Sequence, residues 1–232
     1  MQKICLPFVL FLFFQLPNLK AQVDEDQLGA WYMYFWTTNF DNGDSPWGLQ
    51  GDVQFRNWNV IGDLEQLLLR GGLTYTPEGT NAKLTLGYAN ITTGAFGDSD
   101  FTVNESRIYQ EALLPHRVSN KVHLTHRFRF EQRFVEDQDF RTRFRYNLFL
   151  NIPLNQADFS KGAWYLAFYN ELFINGQRDI GEREVELFDR NRFYSAIGHS
   201  FKDNLRTQLG YMIQTTDNWT KGQLQFSLHH TI

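Results

Sequence analysis

Cysteine is almost absent from this sequence, with one residue in 232, and proline occurs only six times. The chain therefore cannot be a scaffold held together by disulfide bonds. Contacts between distant parts of the chain have to come from the packing of large side chains. Long hydrophobic runs are also missing: after residue 21 the longest, 30–36 and 163–169, have about seven residues. A membrane-spanning helix needs about 20 apolar residues, so we predict none in this part of the chain.

Positive charge is not in excess either. The formal net charge is −4, whereas a nucleic-acid-binding domain normally presents a net basic face, so we predict no nucleic-acid partner. What the sequence does contain is 42% hydrophobic and 16% aromatic residues. That composition is typical of one folded domain and excludes a disordered chain.

The first 21 residues have the three-part layout of a secretory signal peptide. Lys3 supplies the cationic start, residues 4–14 form an apolar run, and Ala21 is the small residue before the predicted cleavage site. Cys5 lies at the front of the apolar run, which does not suit a lipoprotein cysteine. We therefore predict a signal peptide over 1–21 and an exported domain over 22–232.

Polar and apolar residues alternate along most of the exported chain. The clearest segment is 122–134, where one face of an extended strand is apolar and the other is charged. The apolar face holds Leu124, Phe128, Phe130 and Phe134, and the polar face holds His123, Thr125, Arg127, Arg129, Glu131 and Arg133. Segment 141–151 repeats this pattern after a short acidic turn, so the two segments are predicted to be long strands joined as a hairpin.

Eleven segments have this character. They are 28–40, 46–58, 63–76, 82–90, 104–113, 121–135, 139–151, 162–173, 186–198, 203–215 and 220–230. Bacterial single-chain barrels use an even number of strands, so we predict ten or twelve, with 28–40 and 104–113 as the least regular segments. The predicted fold is an all-β, antiparallel up-and-down transmembrane β-barrel. If the long polar connections 91–103 and 175–185 are external, the C-terminus lies in the periplasm.

Alternation alone does not say which face points inward. In a soluble lipocalin-like carrier the aromatic face fills the interior, whereas in an outer-membrane barrel it faces lipid. Three features favour the membrane arrangement: long strands, an export signal, and tyrosine and tryptophan residues near strand ends, where interfacial girdles lie. We therefore predict a cell outer-membrane protein, with outer-membrane lipids as partners.

Seven short motifs occur in order along the exported chain. They are Arg70-Gly71-Gly72-Leu73-Thr74-Tyr75, Leu86-Gly87-Tyr88, Glu105-x-Arg107, Arg127-x-Arg129-x-Glu131-Gln132-Arg133, Asn170-Glu171-x-Phe173, Asn191-Arg192 and Leu209-Gly210-Tyr211. Together they resemble the outer-membrane β-barrel family catalogued as domain of unknown function 2490. The resemblance implies a barrel in the outer membrane of a Gram-negative bacterium, and it implies no established activity and no catalytic residue.

Charged residues on the polar faces are the candidate site. The predicted lumen network consists of Arg56, Arg70, Arg107, Arg127, Arg129, Glu131, Arg133, Arg141, Arg143, Arg145, Glu171, Arg192 and Arg206, together with Asp52, Glu105 and Glu111. An arginine on the lipid face costs about 2–4 kcal/mol near the midplane, so these residues are predicted to face inward. Two roles stay open: a ladder of ion pairs that fills the interior, or an arginine-rich path for small anionic solutes.

The best functional hypothesis is a small pore or structural barrel without cofactor or metal. A lipid-modifying barrel enzyme is the alternative, but it needs serine and histidine on the lipid-facing side, and only His126 is placed there. Ser227 and His229 lie two residues apart on the inward side. The histidine pairs 229–230 and 123/126 point to opposite faces of a strand, which argues against a shared metal ion. The remaining alternative is a soluble periplasmic lipocalin-like carrier.

Overall fold

A computed structural model describes residues 23–41, 44–182 and 184–232, so the predicted signal peptide lies outside the described residues. These residues form eleven strands. Their bounds are Gly29–Asn39 (β1), Trp47–Asn57 (β2), Leu64–Tyr75 (β3), Lys83–Gly94 (β4), Thr102–Ser119 (β5), Val122–Val135 (β6), Arg141–Pro153 (β7), Trp164–Asn175 (β8), Phe188–Lys202 (β9), Leu205–Thr215 (β10) and Thr220–Thr231 (β11). No helix in these ranges is long and apolar enough to cross a membrane.

The strands close into a single barrel. Each pairs antiparallel with its neighbours in sequence, and β1 pairs in parallel with β11. This parallel seam runs over nine residue pairs, from Gly29 with Gln223 to Thr37 with Thr231. The predicted count of ten or twelve was wrong. Strand directions alternate along the chain, so an odd number leaves the first and last strands parallel, and a parallel ladder is what closes the sheet.

Both segments that looked least regular in the sequence are strands. The first is β1, and the second is β5, which continues past its predicted end at residue 113 to Ser119. Pairing of β5 with β4 stops at Leu113, and beyond it β5 pairs only with β6. The tip of this hairpin therefore has a free edge, where Pro115 is tolerated because its missing N–H is not needed there.

The two faces of the wall differ sharply in polarity. Phe128 and Phe144 point outward and are about half exposed, at 49% and 54%, whereas Arg129 and Arg143 point inward and are 6% and 4% exposed. The outward positions of β6 between residues 124 and 134 hold no Asp, Glu, Lys or Arg. The predicted orientation of the hairpin formed by β6 and β7 is therefore confirmed, with aromatic rings outside and guanidinium groups inside.

Because strand direction alternates, successive connections lie at opposite ends of the barrel. The N-terminal end carries the start of β1 and the β2–β3, β4–β5, β6–β7, β8–β9 and β10–β11 connections, and the C-terminal end carries the others and the end of β11. The two connections predicted to be long span 95–101 and 176–187, and both lie at the N-terminal end. The C-terminus lies at the opposite end, as the sequence predicted. Which end faces the periplasm stays a prediction.

Glycines let inward tyrosine rings lie flat on a neighbouring strand. Gly87 pairs with Tyr109 and Gly198 pairs with Tyr165, and a Cβ on either glycine would overlap the tyrosine ring. A ring that covers a facing glycine fixes register and fills the space left by the missing side chain. These two contacts position Tyr109 and Tyr165 against the inner wall.

Candidate functional site

An internal cavity of about 450 Å³ occupies the half of the barrel nearer the C-terminal end. It reaches strand ends at Thr37, Lys83 and Asn151, and Thr231 at its rim is exposed to solvent. The volume is typical of a site for a small molecule, for which clefts of about 300–1,000 Å³ are usual. The mouth of the cavity is therefore at the C-terminal end.

Cations outnumber acids in the cavity lining. Eight Arg and Lys side chains line it against three Asp and Glu side chains. The cations are Arg56, Arg70, Lys83, Arg127, Arg129, Arg145, Arg192 and Arg206, and the acids are Asp52, Glu111 and Glu171. Guanidinium groups stay charged when partly buried, so the cavity has a positive potential.

The three acids in the lining are already engaged. Glu111 accepts from Nε of Arg129 at 2.7 Å, and Asp52 accepts from Nε of Arg70 at 2.8 Å. Glu171 accepts from Arg127 at 2.6 Å and from Nε of Arg145 at 2.9 Å. These bonds hold the guanidinium groups in place, and they leave no free carboxylate to repel an entering anion.

A second set of charges lies on β5, β6, β7 and β9 in the half of the barrel nearer the N-terminal end. We call it the ionic layer; it consists of Glu105, Arg107, Glu131, Arg133, Arg143 and Asp189. Glu105 binds both Arg107, at 2.6 and 2.7 Å, and Arg133, at 2.5 and 2.9 Å, in two-pronged pairs. Bidentate pairing is the strongest geometry that a carboxylate and a guanidinium group form. The ionic layer is thus a network of ion pairs between the cavity and the N-terminal end.

Glu131 is the centre of the ionic layer. Arg143 donates to it at 2.6 and 2.8 Å, and Arg145 donates at 2.7 Å. Arg107 and Arg129 each lie 3.8 Å away. Because only 2% of its side chain is exposed, the carboxylate depends on these four cations for stability inside the protein.

The segment before β1 is held at the N-terminal end of the barrel. The ammonium group of Lys221, which is fully buried, donates to the carbonyl of Asp24 at 2.8 Å and to that of Gln27. The carboxylate of Glu25 accepts the amide N–H of Thr220 at 3.3 Å. Residues 24–27 are therefore tied to the start of β11.

The structure places all thirteen predicted network residues on the inner wall, but it divides them. Arg107, Glu131, Arg133 and Arg143 belong to the ionic layer. Arg56, Arg70, Arg127, Arg129, Arg145, Glu171, Arg192 and Arg206 line the cavity. Arg141 lies at the N-terminal start of β7. Arg56, Arg141 and Arg206 have no carboxylate within 4.0 Å among the described residues, whereas the others form ion pairs.

Sequence reasoning missed two inward acids, Glu65 and Asp189. Glu65 accepts from the indole N–H of Trp31 at 2.8 Å, and Asp189 accepts from Arg143 at 2.6 Å. Each is the extra residue at a shift of strand register. Glu65 lies between the partners of Arg56 and Asn57, which are Gln66 and Leu64. Asp189 lies between the partners of Phe173 and Ile174, which are Arg190 and Phe188. A bulge inserts a residue and redirects its side chain, so strict alternation assigns it to the wrong face.

Aromatic rings also support the cations, which charge patterning alone does not reveal. The guanidinium carbon of Arg56 lies 3.9 Å from the ring centre of Trp31, and that of Arg192 lies 4.7 Å from the same ring. Arg145 lies 4.4 Å from the ring centre of Phe173. Such contacts contribute about 2 kcal/mol when desolvated. The recurrence of aromatic residues at inward positions was the signal available in the sequence.

Ser227 and His229 lie in the cavity lining near the mouth. Ser227 Oγ and His229 Nε2 are 3.0 Å apart, and the imidazole stacks on Phe35 with ring centres at 4.9 Å. The other ring nitrogen has no hydrogen-bond partner in the described part of the chain, so the third member of a catalytic triad is missing there. His126 points outward and bonds the hydroxyl of Tyr146 at 2.9 Å. No group of three potential metal ligands occurs among the described residues.

Comparison with known proteins adds a family but no activity. The family described as protein of unknown function (DUF2490) matches residues 28–225, which run from the start of β1 into β11. The chain belongs to DUF2490. This confirms the resemblance seen in the sequence, and in this DUF2490 member the match covers β1 to β10 and the first half of β11. No curated protein and no solved structure matches the chain.

Proposed function

We propose that this chain is an outer-membrane β-barrel whose interior cavity binds small anions. The observation that carries the proposal is the excess of eight cations over three acids in a cavity enclosed by a wall with an apolar outer face. The two halves of the proposal, location and ligand, rest on the outer and inner faces of that wall.

The outer face supports the membrane location. Large apolar side chains are exposed around the circumference, among them Leu49, Phe55, Leu69, Leu73, Leu86, Phe128, Phe134, Phe144, Phe193, Ile197, Leu209, Ile213 and Phe226. A soluble monomer rarely exposes so large a contiguous apolar surface. Every strand has at least 11 residues, which suffices for a tilted span of the hydrocarbon core. A soluble lipocalin-like carrier requires the opposite orientation of the two faces.

The inner face supports anion binding. Arg206, near the mouth, forms no hydrogen bond or ion pair with the described residues and lies 5.5 Å from the ring centre of Phe159. Arg56 bonds only to the side chains of Gln54 and Gln66, at 2.6 to 3.1 Å. Cations without a carboxylate partner in a restricted space favour an anionic ligand, because the ligand replaces the missing charge.

The ionic layer favours a blind pocket over an open pore. Arg129 lines the cavity, but Arg143 lies below it, 4% exposed and paired with two acids. Glu105, Arg107 and Arg133 at the same level are also buried. A continuous water path would have to separate these pairs, so the pore hypothesis is the weaker form of the proposal. With the C-terminus in the periplasm, the pocket opens toward the periplasm.

Anion binding is tested on the full chain folded in detergent micelles. We expect saturable binding of at least one of inorganic phosphate, acetate and benzoate in equilibrium dialysis at low salt, weakened by added chloride. Arg206→Gln should reduce affinity about tenfold, because a hydrogen bond to a charged group contributes about 1.5–3 kcal/mol.

Arg178→Gln is the matched control, since Arg178 lies in the β8–β9 connection, far from the cavity, and pairs with the exposed Glu186. Its affinity should equal that of the wild type. Absence of saturable binding for all three anions, or equal losses in both variants, would overturn the proposal.

A further inference from the structure

The cavity has two chemically different walls. On β2–β7 its lining carries Arg70, Lys83, Arg127, Arg129 and Arg145. On β8–β10 and β1 the lining carries two cations, Arg192 and Arg206, one acid, Glu171, and an aromatic surface that we call the apolar wall. Its rings are Trp31, Tyr165, Tyr169 and Tyr194, which belong to an apolar cluster of buried residues or pack against it. Closed topology places these two groups of strands on different sides of one interior. A ligand in the cavity therefore meets most of the cations on one side and most of the aromatic rings on the other.

The apolar wall contains a pair of stacked rings. Tyr169 and Tyr194 stack with ring centres 4.7 Å apart and planes inclined by 24°. The small residues Ala167 and Ala196 are part of the same cluster. Ala167 also lines the cavity, and stacked rings suit a planar apolar group.

The two walls meet at the deep end of the cavity, at Trp31. There the guanidinium groups of Arg56 and Arg192 both lie on the indole ring. Arg192 donates from Nε to Gln214 at 2.6 Å, but its Nη atoms form no hydrogen bond with the described residues, and its nearest carboxylate, Glu171, is 3.9 Å away. The Nη groups of a planar guanidinium can donate hydrogen bonds to both oxygens of one carboxylate, so Arg192 is a candidate site for a carboxylate.

We propose that the ligand is an aromatic carboxylate, held with its carboxylate at Arg56 and Arg192 and its ring against Tyr169 and Tyr194. This inference rests on the proposed function and narrows its ligand class. Inorganic anions use only the cationic wall, and neutral aromatic molecules use only the apolar wall. An aromatic carboxylate uses both, and a volume of about 450 Å³ accommodates one or two fused rings.

The experiment compares three probes on the full chain in detergent micelles by isothermal titration calorimetry: 1-naphthoate, acetate and the neutral 1-naphthalenemethanol. We expect naphthoate to bind at least tenfold more tightly than either of the others. Acetate binding as tightly as naphthoate would overturn this inference and leave the proposed function standing. Binding of the neutral probe as tightly as naphthoate would overturn this inference, because the carboxylate would then contribute nothing. The proposed function is decided separately, by the dialysis of inorganic phosphate, acetate and benzoate.

Two variants locate the ligand. Arg192→Gln should weaken naphthoate and acetate alike by about tenfold, whereas Tyr194→Leu should weaken naphthoate about fivefold and leave acetate unchanged. Tyr88→Leu, on the outer wall and 52% exposed, is the control for detergent uptake and should change neither. Naphthoate affinity that falls in Tyr88→Leu but not in Tyr194→Leu would overturn the inference. The comparison of probes on the wild type decides the question even if a variant does not fold.

Discussion

At the scale of single residues, the interior depends on acids that each serve several arginines. Glu131 has four guanidinium groups within 4.0 Å, and Glu171 has three. Cations outnumber acids, so each carboxylate offsets repulsion among several neighbours as well as forming its own pairs. The loss of one acid therefore has more effect than the loss of one arginine.

Glu131→Gln should lower the free energy of unfolding by about 3–5 kcal/mol, because it leaves buried guanidinium groups without their shared anion. Unfolding in guanidinium chloride, carried out in detergent micelles and followed by intrinsic tryptophan fluorescence, measures the change in the free energy of unfolding. Glu186→Gln is the control: its pair with Arg178 has side chains 63% and 56% exposed, so the loss should stay below about 1 kcal/mol. Equal destabilisation by the two substitutions would contradict the central role of Glu131.

Residue-level prediction from the sequence succeeded wherever strand register is regular. The alternation of Arg129, Glu131 and Arg133 with phenylalanines assigned each side chain to its correct face. Glu65 and Asp189 were missed because both occupy bulges, and no local composition distinguishes a bulge residue from its neighbours. Partner choice was also beyond reach, since Glu171 joins arginines from β6, β7 and β9 that are distant in sequence.

At the scale of elements, the parallel seam between β1 and β11 is the least expected feature. All eleven strands were located from period-two alternation, but the even-number rule for bacterial barrels led to a wrong count. Strand patterns define which residues face inward, and they carry no information about the relative direction of the first and last strands. Only the pairing of Gly29 with Gln223 and the pairs that follow reveals it.

A disulfide can test the register of the seam. Tyr32 pairs with Phe226, and both point outward, so the double variant Tyr32→Cys/Phe226→Cys places two thiols on adjacent strands. With the sequence's only cysteine, Cys5, omitted by starting at residue 22, we expect oxidation to join the strands. The linked chain should migrate differently on a non-reducing gel. In the control Tyr32→Cys/Leu209→Cys the second thiol lies on β10, across the intervening strand β11, and should stay reduced; equal linkage in both would contradict the parallel seam.

At the scale of the whole molecule, the barrel is asymmetric along its axis. The half nearer the N-terminal end contains the buried ionic layer, and the half nearer the C-terminal end contains the cavity. The fold class and the polarity of the two faces followed from sequence, because they depend on a repeated local pattern. The division into ionic layer and cavity could not be predicted, because it depends on side-chain length and on pairing across the interior.

The proposed membrane location predicts a specific behaviour of the full-length protein. Expressed with residues 1–21 in a Gram-negative host, it should stay in the membrane fraction after carbonate extraction. It should also migrate faster on a gel when unheated than when boiled, since a closed barrel resists detergent unfolding. Complete release by carbonate together with identical migration before and after boiling would contradict the location. The Glu131→Gln variant provides a matched comparison, because it should lose its unheated mobility at a lower temperature.

The parallel seam also constrains the order of folding. Ten of the eleven strand pairs join neighbours in the chain and can zip up as successive hairpins, but the remaining one joins Gly29 to Gln223 across nearly the full length of the barrel domain. Closing so long a loop carries a large entropic cost, and contacts of such high sequence separation form slowly. Until β11 pairs with β1, one edge of β1 is unpaired and can pair with a strand of another chain. We therefore expect closure of the barrel to be the last and slowest step of folding, and the step at which the chain is most exposed to misassembly.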